Sequence, residues 1–301
     1  MQIYNSADGL RSSLASDKLD GKKIALVPTM GNLHDGHLAL IEKAKETSDV
    51  VVCSIFVNAL QFNLKEDWEQ YPRTFDTDCE KLRSVGCDYL FHPTETEMYP
   101  NGLDTQTKVV CPYLTDVLCG ASRPGHFEGV TTVVSKLLNI VQPHEAVFGV
   151  KDYQQLIVIK RLIEDLCFPV KIISAPIHRE IDGLAMSSRN WHIESDERPK
   201  VIILREVIDW IAENILNGNL DFFDLESIAI ERINKRGFEV DYITCCNSET
   251  LDFAANDDKN ITVLGAIYTK KARLIDNVSI CLLYTSPSPR DRTRSRMPSS
   301  A

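Results

Sequence analysis

Residues 27–40, VPTMGNLHDGHLAL, set His34 and His37 three positions apart across Asp35 and Gly36. The stretch follows the apolar run KIALVP and opens a segment with the periodicity of an amphipathic helix. A helix N-terminus offers unpaired N–H groups and the positive end of a dipole, which together favour phosphate. Gly31 and Gly36 let backbone approach a ligand closely. The two imidazoles would then donate to phosphate oxygens, an imidazolium countering charge on a pentavalent phosphorus. Taken alone, they could equally be solvent-exposed or locally hydrogen-bonded loop residues.

Four further groups have matching chemistry. In FGVKDYQQL, residues 148–156, Gly149, Lys151 and Asp152 form a candidate anion and ribose site, with Gln154 and Gln155 available to a polar substrate. Its alternative is a capped helix with a surface Lys–Asp pair. In MSSRN, residues 186–190, Ser187 and Ser188 could donate to a triphosphate that Arg189 spans in a fork; a Ser-rich turn capping a helix is the other reading. FVNALQFN supplies Asn58 and Gln61 as amide contacts for a hydroxy-acid. SRPGHFEGV supplies Arg123 and His126 at a helix start, or else an exposed turn.

These groups need a frame to bring them together. Short β-branched runs at 24–28, 50–57, 88–92, 145–149 and 168–175 read as buried parallel strands. Helical patterns at 37–48, 75–85, 129–141 and 152–166 alternate with them, which predicts a Rossmann-like, doubly wound α/β sheet over residues 1–176. Most of the reactive groups then fall at carboxyl ends of strands, where such sheets bind ligands. Residues 177–280 read as a smaller α+β domain: helices at 194–217 and 221–236, then strands at 238–245, 261–268 and 272–276. Residues 281–301 are rich in Pro, Ser and Arg, without periodicity, and read as a disordered tail foreign to the fold.

The bulk properties exclude several classes. The chain has 301 residues, 44% hydrophobic, and a net charge of −10, against nucleic-acid or anionic-membrane binding. No run is long enough to span a membrane, and the N-terminus lacks a signal-peptide layout. Nine cysteines without a C-x-x-C pair predict reduced thiols in a cytoplasmic protein and argue against zinc.

Together, PTMGNLHDGH, FVNALQF, YPRTFDTDCEKL, GASRPGHFEGV, FGVKDYQQL and DGLAMSSRN, in this order and spacing, closely resemble the pantothenate synthetases (pantoate–β-alanine ligases), members of the nucleotidyltransferase superfamily with an H-x-G-H motif. The resemblance runs to about residue 277 and includes ARLIDN. It implies condensation of pantoate with β-alanine through a pantoyl adenylate, with ATP as substrate and Mg²⁺ carried mainly on its phosphates. No residue is implied as a direct metal ligand.

By the same resemblance, Met30, Gly31, Asn32, Leu33, His34, Asp35, Gly36 and His37 form the nucleotide loop, with His37 in acid or transition-state chemistry and His34 its phosphate-side partner. Gly149, Val150, Lys151 and Asp152 cradle the nucleotide, and His178 lies on the adenine side. Met186, Ser187, Ser188 and Arg189 form a mobile phosphate-gripping loop. Gln61, Gln155, Asn58 and Arg123 hold pantoate and β-alanine, and the smaller domain closes as a lid. A homodimer joined through the larger domain is also implied.

Two positions depart from the family pattern. Ala59 stands where a proline is usual, which leaves its loop less constrained. Val150 replaces a polar residue, a neutral change if only its backbone meets nucleotide. Two other functions compete: another adenylyltransferase of the superfamily, which would ignore β-alanine, and a nucleotide-binding module without turnover. A dehydrogenase is disfavoured, because no G-x-G-x-x-G follows the first apolar strand.

Overall fold

The computed structural model describes residues 1–63 and 65–282. β1 (Gln2–Tyr4), α1 (Ala7–Leu19), β2 (Ile24–Thr29), α2 (Asp35–Lys45) and β3 (Val50–Ile55) open the chain. There follow α3 (Lys65–Gln70), α4 (Phe75–Ser84), β4 (Tyr89–Phe91), α5 (Glu95–Met98), α6 (Cys119–Ser122) and α7 (His126–Val141). β5 (Glu145–Gly149), α8 (Tyr153–Asp165) and β6 (Lys171–Ala175) complete a parallel sheet of order β1-β4-β3-β2-β5-β6.

Successive strand residues point to opposite faces, and the sheet sorts them accordingly. Leu26 and Val52 join α1, α7 and α8 in one core, while Val27 and Val51 join α2 and α4 in the other. This two-sided burial is why the strands read as continuous apolar runs. From β2 the chain builds outward through β3 and β4 on one side, and β5 and β6 extend the sheet on the other. The switch point thus lies between β2 and β5. Their ladder pairs Ala25 with Glu145 and Leu26 with Ala146, whereas β2 follows β3 as far as Thr29 and Ile55. The carboxyl halves of β2 and β5 are therefore unpaired with each other, and a crevice opens there.

The second sheet is antiparallel, of order β7-β8-β9: β7 (Glu239–Asn247), β8 (Asn260–Tyr268) and β9 (Arg273–Cys281). Its apolar residues Ile243, Val263 and Ile267 pack with Ile208, Ile211 and Ile233 of α9 (Ile203–Leu216) and α10 (Phe222–Lys235) in a core of their own. Cys246, Leu251 and Leu264 instead join the core of the larger sheet. The two layers meet over an apolar contact.

Several expectations shift. The helix expected over 194–217 begins regular winding only at Ile203. Pro199 lacks an N–H and disfavours helical backbone at Arg198, and residues 195–202 fold as turns. The last strand, expected at 272–276, continues to Cys281, because Val278 and Ile280 still find the second core. Cys281, read as the first residue of a foreign tail, is therefore the end of β9. The remainder of that expectation, residues 283–301, lies outside the described residues. α7 starts three residues before its expected limit, and neither β1 nor α1 was foreseen.

Candidate active site

The crevice is a cavity of about 940 Å³ above the carboxyl ends of β2 and β5. Of the residues expected in the site, Met30, His34, Gly36, His37, Gln61, Arg123, Gly149, Lys151, Asp152, Gln155, His178, Met186, Ser187, Ser188 and Arg189 line it. Gly31, Asn32, Leu33, Asp35 and Val150 belong to the same loops without forming its wall, and Leu33 is a core residue.

The loop before α2 is held in shape without any ligand. Thr29 Oγ1 donates to the Ser54 carbonyl at 2.7 Å and accepts the Gly31 N–H at 3.2 Å. Gly31 has φ +81°, and a Cβ there would sit 3.0 Å from Ile55 Cγ2 and 3.1 Å from Asp78 Oδ2, so only glycine fits. Asp78 of α4 accepts the N–H groups of Asn32 at 2.9 Å and Leu33 at 2.8 Å. Lys81 of the same helix donates to the Leu33 carbonyl at 2.5 Å. Sequence reasoning missed Asp78. Its signal was a carboxylate inside the quoted YPRTFDTDCEKL stretch, but its partners lie more than forty residues away.

His34 caps α2, and its N–H donates to His37 Nδ1 at 3.4 Å, which leaves the His37 proton on Nε2. The two rings lie 4.0 Å apart. Burial, then the Lys151 charge, lowers the His34 pKa to about 4. Burial, then His34 and Lys151, lowers that of His37 to about 3. Both imidazoles are therefore neutral at neutral pH before a ligand arrives, rather than cationic. Gly36 serves by absence: a Cβ there would press on the His34 ring at 3.0 Å.

Across the crevice, Lys151 and Asp152 follow β5, with Lys151 Nζ 3.7 Å from Asp152 Oδ2. Enclosure works to raise the Asp152 pKa, but the charges of Lys151 and Arg189 outweigh it and hold the carboxyl below its ordinary value. Val150 packs its side chain on the larger core while its N–H donates to Ala175 at 2.8 Å. Arg179 bridges to Ala185, and Met186 donates to the His178 carbonyl at 3.0 Å, closing a hairpin that delivers Ser187, Ser188 and Arg189. Ser188 also reaches the Tyr71 hydroxyl.

At the other end, Gln61 stands on a 3-10 turn, Ala59–Gln61. Its Oε1 accepts from Asn58 Nδ2 at 3.1 Å and its Nε2 approaches Met30 Sδ at 3.0 Å. Asn58 itself is not brought to the cavity wall. Its Nδ2 also donates to Gly129 at 3.0 Å, its Oδ1 accepts from Tyr99 at 2.7 Å, and it stands behind Gln61 as a support. A Cβ on Gly129 would lie 2.4 Å from the Leu60 carbonyl, so α7 and the turn touch backbone to backbone.

His126 Nδ1 donates to the Gln61 carbonyl at 2.7 Å, which leaves Nε2 to accept from Arg123 at 3.0 Å. Burial and the Arg123 charge lower the His126 pKa to about 3. Burial, then the Arg189 charge, lowers that of Arg123 to about 10. Gln154, offered as a substrate contact, donates instead to the Leu114 and Val117 carbonyls at 2.9 and 2.7 Å and accepts from Cys119 at 3.0 Å. That leaves Gln155 for a ligand. Beside this polar end, Val130, Val133, Val134 and Leu137 of α7 turn one apolar stripe into the cavity with Phe56 and Phe148. Lys271, Arg273 and Asn277 enter from the second sheet and were not foreseen.

The family model described as pantoate-beta-alanine ligase matches residues 2–279. Pantothenate synthetase of Cellvibrio japonicus is 59% identical over 282 residues, covering 94% of this chain and all of that one. The Saccharophagus degradans enzyme of the same name is 57% identical over 283 residues, again with 94% and 100% covered. Among solved structures, pantothenate synthetase from Thermus thermophilus superposes with a TM-score of 0.86 at 40% identity, covering 92% of this chain and 99% of that one. Pantoate-beta-alanine ligase from Francisella tularensis, complexed with beta-gamma ATP and beta-alanine, gives a TM-score of 0.73 at 36% identity, with 92% and 97% covered. With its motifs, its two sheets and nearly its whole length in common with these enzymes, the chain belongs to the pantoate–β-alanine ligase family, whose members make pantothenate from pantoate and β-alanine.

Proposed function

We propose that this chain makes pantothenate in two steps within the one cavity. A pantoate carboxylate oxygen attacks the α-phosphorus of ATP, the bond to the β-phosphate oxygen breaks, and pyrophosphate leaves. The β-alanine amine then attacks the acyl carbon of the pantoyl adenylate, the acyl–oxygen bond breaks, AMP leaves, and the amine's surplus proton passes to solvent. The observation that carries this reading is the placement of neutral His34 and His37 at the N-terminus of α2, facing Lys151 and Arg189 across the switch point. The Francisella complex with beta-gamma ATP and beta-alanine supports the same ligands here.

The first step accumulates charge on phosphoryl oxygens and asks for fixed donors more than for a protein nucleophile. His37 Nε2–H, the first-turn N–H groups of α2, Lys151, Ser187, Ser188 and Arg189 supply them. Gln61 and Gln155 hold the hydroxyls and carboxylate of pantoate, with Asn58 acting through Gln61, while the α7 stripe receives its two methyl groups. Arg123 contributes charge at the β-alanine end. Asp152 accepts from ribose, and His178 borders the adenine.

Mg²⁺ suits this arrangement as a companion of ATP, since a hard cation with few protein carboxylates nearby keeps phosphate and water ligands. Among the described residues no group of three His, Cys, Asp or Glu gathers as a metal cage. When bound, the ion neutralises phosphate charge. We further assign residues 177–280 as the lid that excludes water from the adenylate, and carry over the homodimer and the cytoplasmic location from the family. No helix among the described residues is long and apolar enough to cross a membrane.

Pyrophosphate release from ATP and pantoate tests the reading. Steady release should require pantoate and continue only with β-alanine, and His37→Ala should slow it roughly 10²- to 10⁴-fold. Continued turnover without β-alanine would identify a different adenylyltransferase. ATP binding without any release would identify a binding module.

A further inference from the structure

Behind the two phosphate-facing loops, β9 sets two adjacent buried residues, Asp276 and Asn277, each 3% exposed. Neighbours on a strand face opposite sides, and these two reach different loops. Asn277 Nδ2 donates to two consecutive main-chain carbonyls, Val150 at 3.0 Å and Lys151 at 2.9 Å. Two carbonyls facing one amide fix its orientation, since an oxygen there would meet only acceptors. Its Oδ1 stays buried without a partner among the described residues. An unpaired buried acceptor costs stability, so the amide is kept at this position for what its nitrogen holds.

Asp276 binds Arg179 through two bonds of 2.7 and 2.9 Å, and its Oδ1 also accepts the Asn277 N–H at 2.8 Å. Arg179 in turn donates to the Gly183 carbonyl at 2.9 Å and bridges to Ala185, at the base of the hairpin that delivers Ser187 to Arg189. An unbroken polar path therefore runs from the Lys151 backbone through Asn277, Asp276 and Arg179 to the Arg189 loop. Lys151, Asp152, Ser187, Arg189 and Asp276 also border one small side pocket of the crevice.

We propose that Asp276 and Asn277 are positioning residues for adenylation, a tie that sets the spacing between the Lys151 loop and the Arg189 loop. Both cations must meet one triphosphate, and the charge they stabilise is greatest while the α-phosphorus is attacked. A positioning error of about an ångström there costs up to roughly a hundredfold in rate. Once pyrophosphate has left, aminolysis of the acyl group no longer draws on that grip. The tie thus acts on the first half-reaction and spares the second. This rests on the two-step reading above.

Asn277→Asp, nearly isosteric, replaces the amide nitrogen that makes both bonds with an acceptor oxygen. We expect pyrophosphate release in its first turnover to slow roughly ten- to a hundredfold, while AMP release from supplied pantoyl adenylate and β-alanine keeps the wild-type rate. Asn277→Ser, which retains one donor, should fall between and is read in the same way should the aspartate variant not fold. In an Arg189→Ala background the Asn277 change should add little further loss, because both act through one grip. Equal slowing of both half-reactions, no slowing of either, or full additivity with Arg189→Ala would overturn the proposal. Absence of pyrophosphate release from the wild-type protein would instead overturn the two-step reading itself.

Discussion

Three histidines in the crevice, His34, His37 and His126, share one electrostatic situation: each is enclosed and each has a cation close by. Unfolded, a histidine titrates near 6.5. Folded, these titrate at about 4, 3 and 3 respectively. Between those values the unfolded chain binds protons that the folded chain refuses, so stability rises with pH through that window and is complete above about 6.5. Melting temperature should therefore fall as pH drops from about 6.5 towards 4.5, still above most carboxylate titrations. His37→Ala should flatten that slope, and an unchanged slope would contradict the burial described here. The histidine pair was legible from sequence because its whole context, strand, glycine turn and helix start, is local. Its neutral state was not, because the causes are burial by the surrounding fold and then the charge of Lys151, more than a hundred positions away.

At the level of elements, the turn Ala59–Gln61 shows how much of the site was within reach of sequence and where that reach ended. From sequence, Asn58 and Gln61 read alike as amide contacts for a hydroxy-acid. Only the fold separates them, since Tyr99, Gly129 and Gln61 use up the Asn58 amide while Gln61 reaches the cavity. The same holds for Gln154 against Gln155: the Gln154 amide is used up by Leu114, Val117 and Cys119, while that of Gln155 beside it is left for a ligand. Ala59 occupies the first position of its turn, and Asn58 before it is extended at φ −80° and ψ 109°. Both features suit proline, whose ring fixes the φ of such a position and prefers an extended predecessor. Ala59→Pro should therefore stabilise the fold by about 0.4–1 kcal/mol through the unfolded state. It should also lower the KM for pantoate, and a fall in melting temperature would show that the turn needs the freedom alanine leaves it.

Across the whole molecule, the alternation of strand and helix revealed the larger sheet, because two-sided burial writes continuous apolar runs into the chain. The contacts that join the two sheets left no such trace. Tyr153 donates to the Ser248 carbonyl at 2.7 Å, Ser122 to Asp241 at 2.8 Å, and Arg273 to the Cys119 sulfur at 3.3 Å. Most of these pair residues about a hundred or more positions apart, and no periodicity records them. The tie through Asp276 and Asn277 is of the same kind. ARLIDN could be quoted as part of a resemblance, but its work became visible only with Val150, Lys151 and Arg179 beside it.

The α7 stripe has a wider consequence. Val130, Val133, Val134 and Leu137 recur at helical spacing on a single element, while the loops assigned to the nucleotide in the proposed reaction lie on other elements. On that assignment, acid choice and nucleotide choice are written in separate places and can drift independently. A chain of this design can exchange one branched acid for a bulkier or slimmer one by editing a few side chains on one helix, with its ATP chemistry inherited intact. Val133→Ala should raise the KM for pantoate roughly tenfold and leave the KM for ATP where it was. Parallel changes in both constants would mean that the two choices are coupled after all.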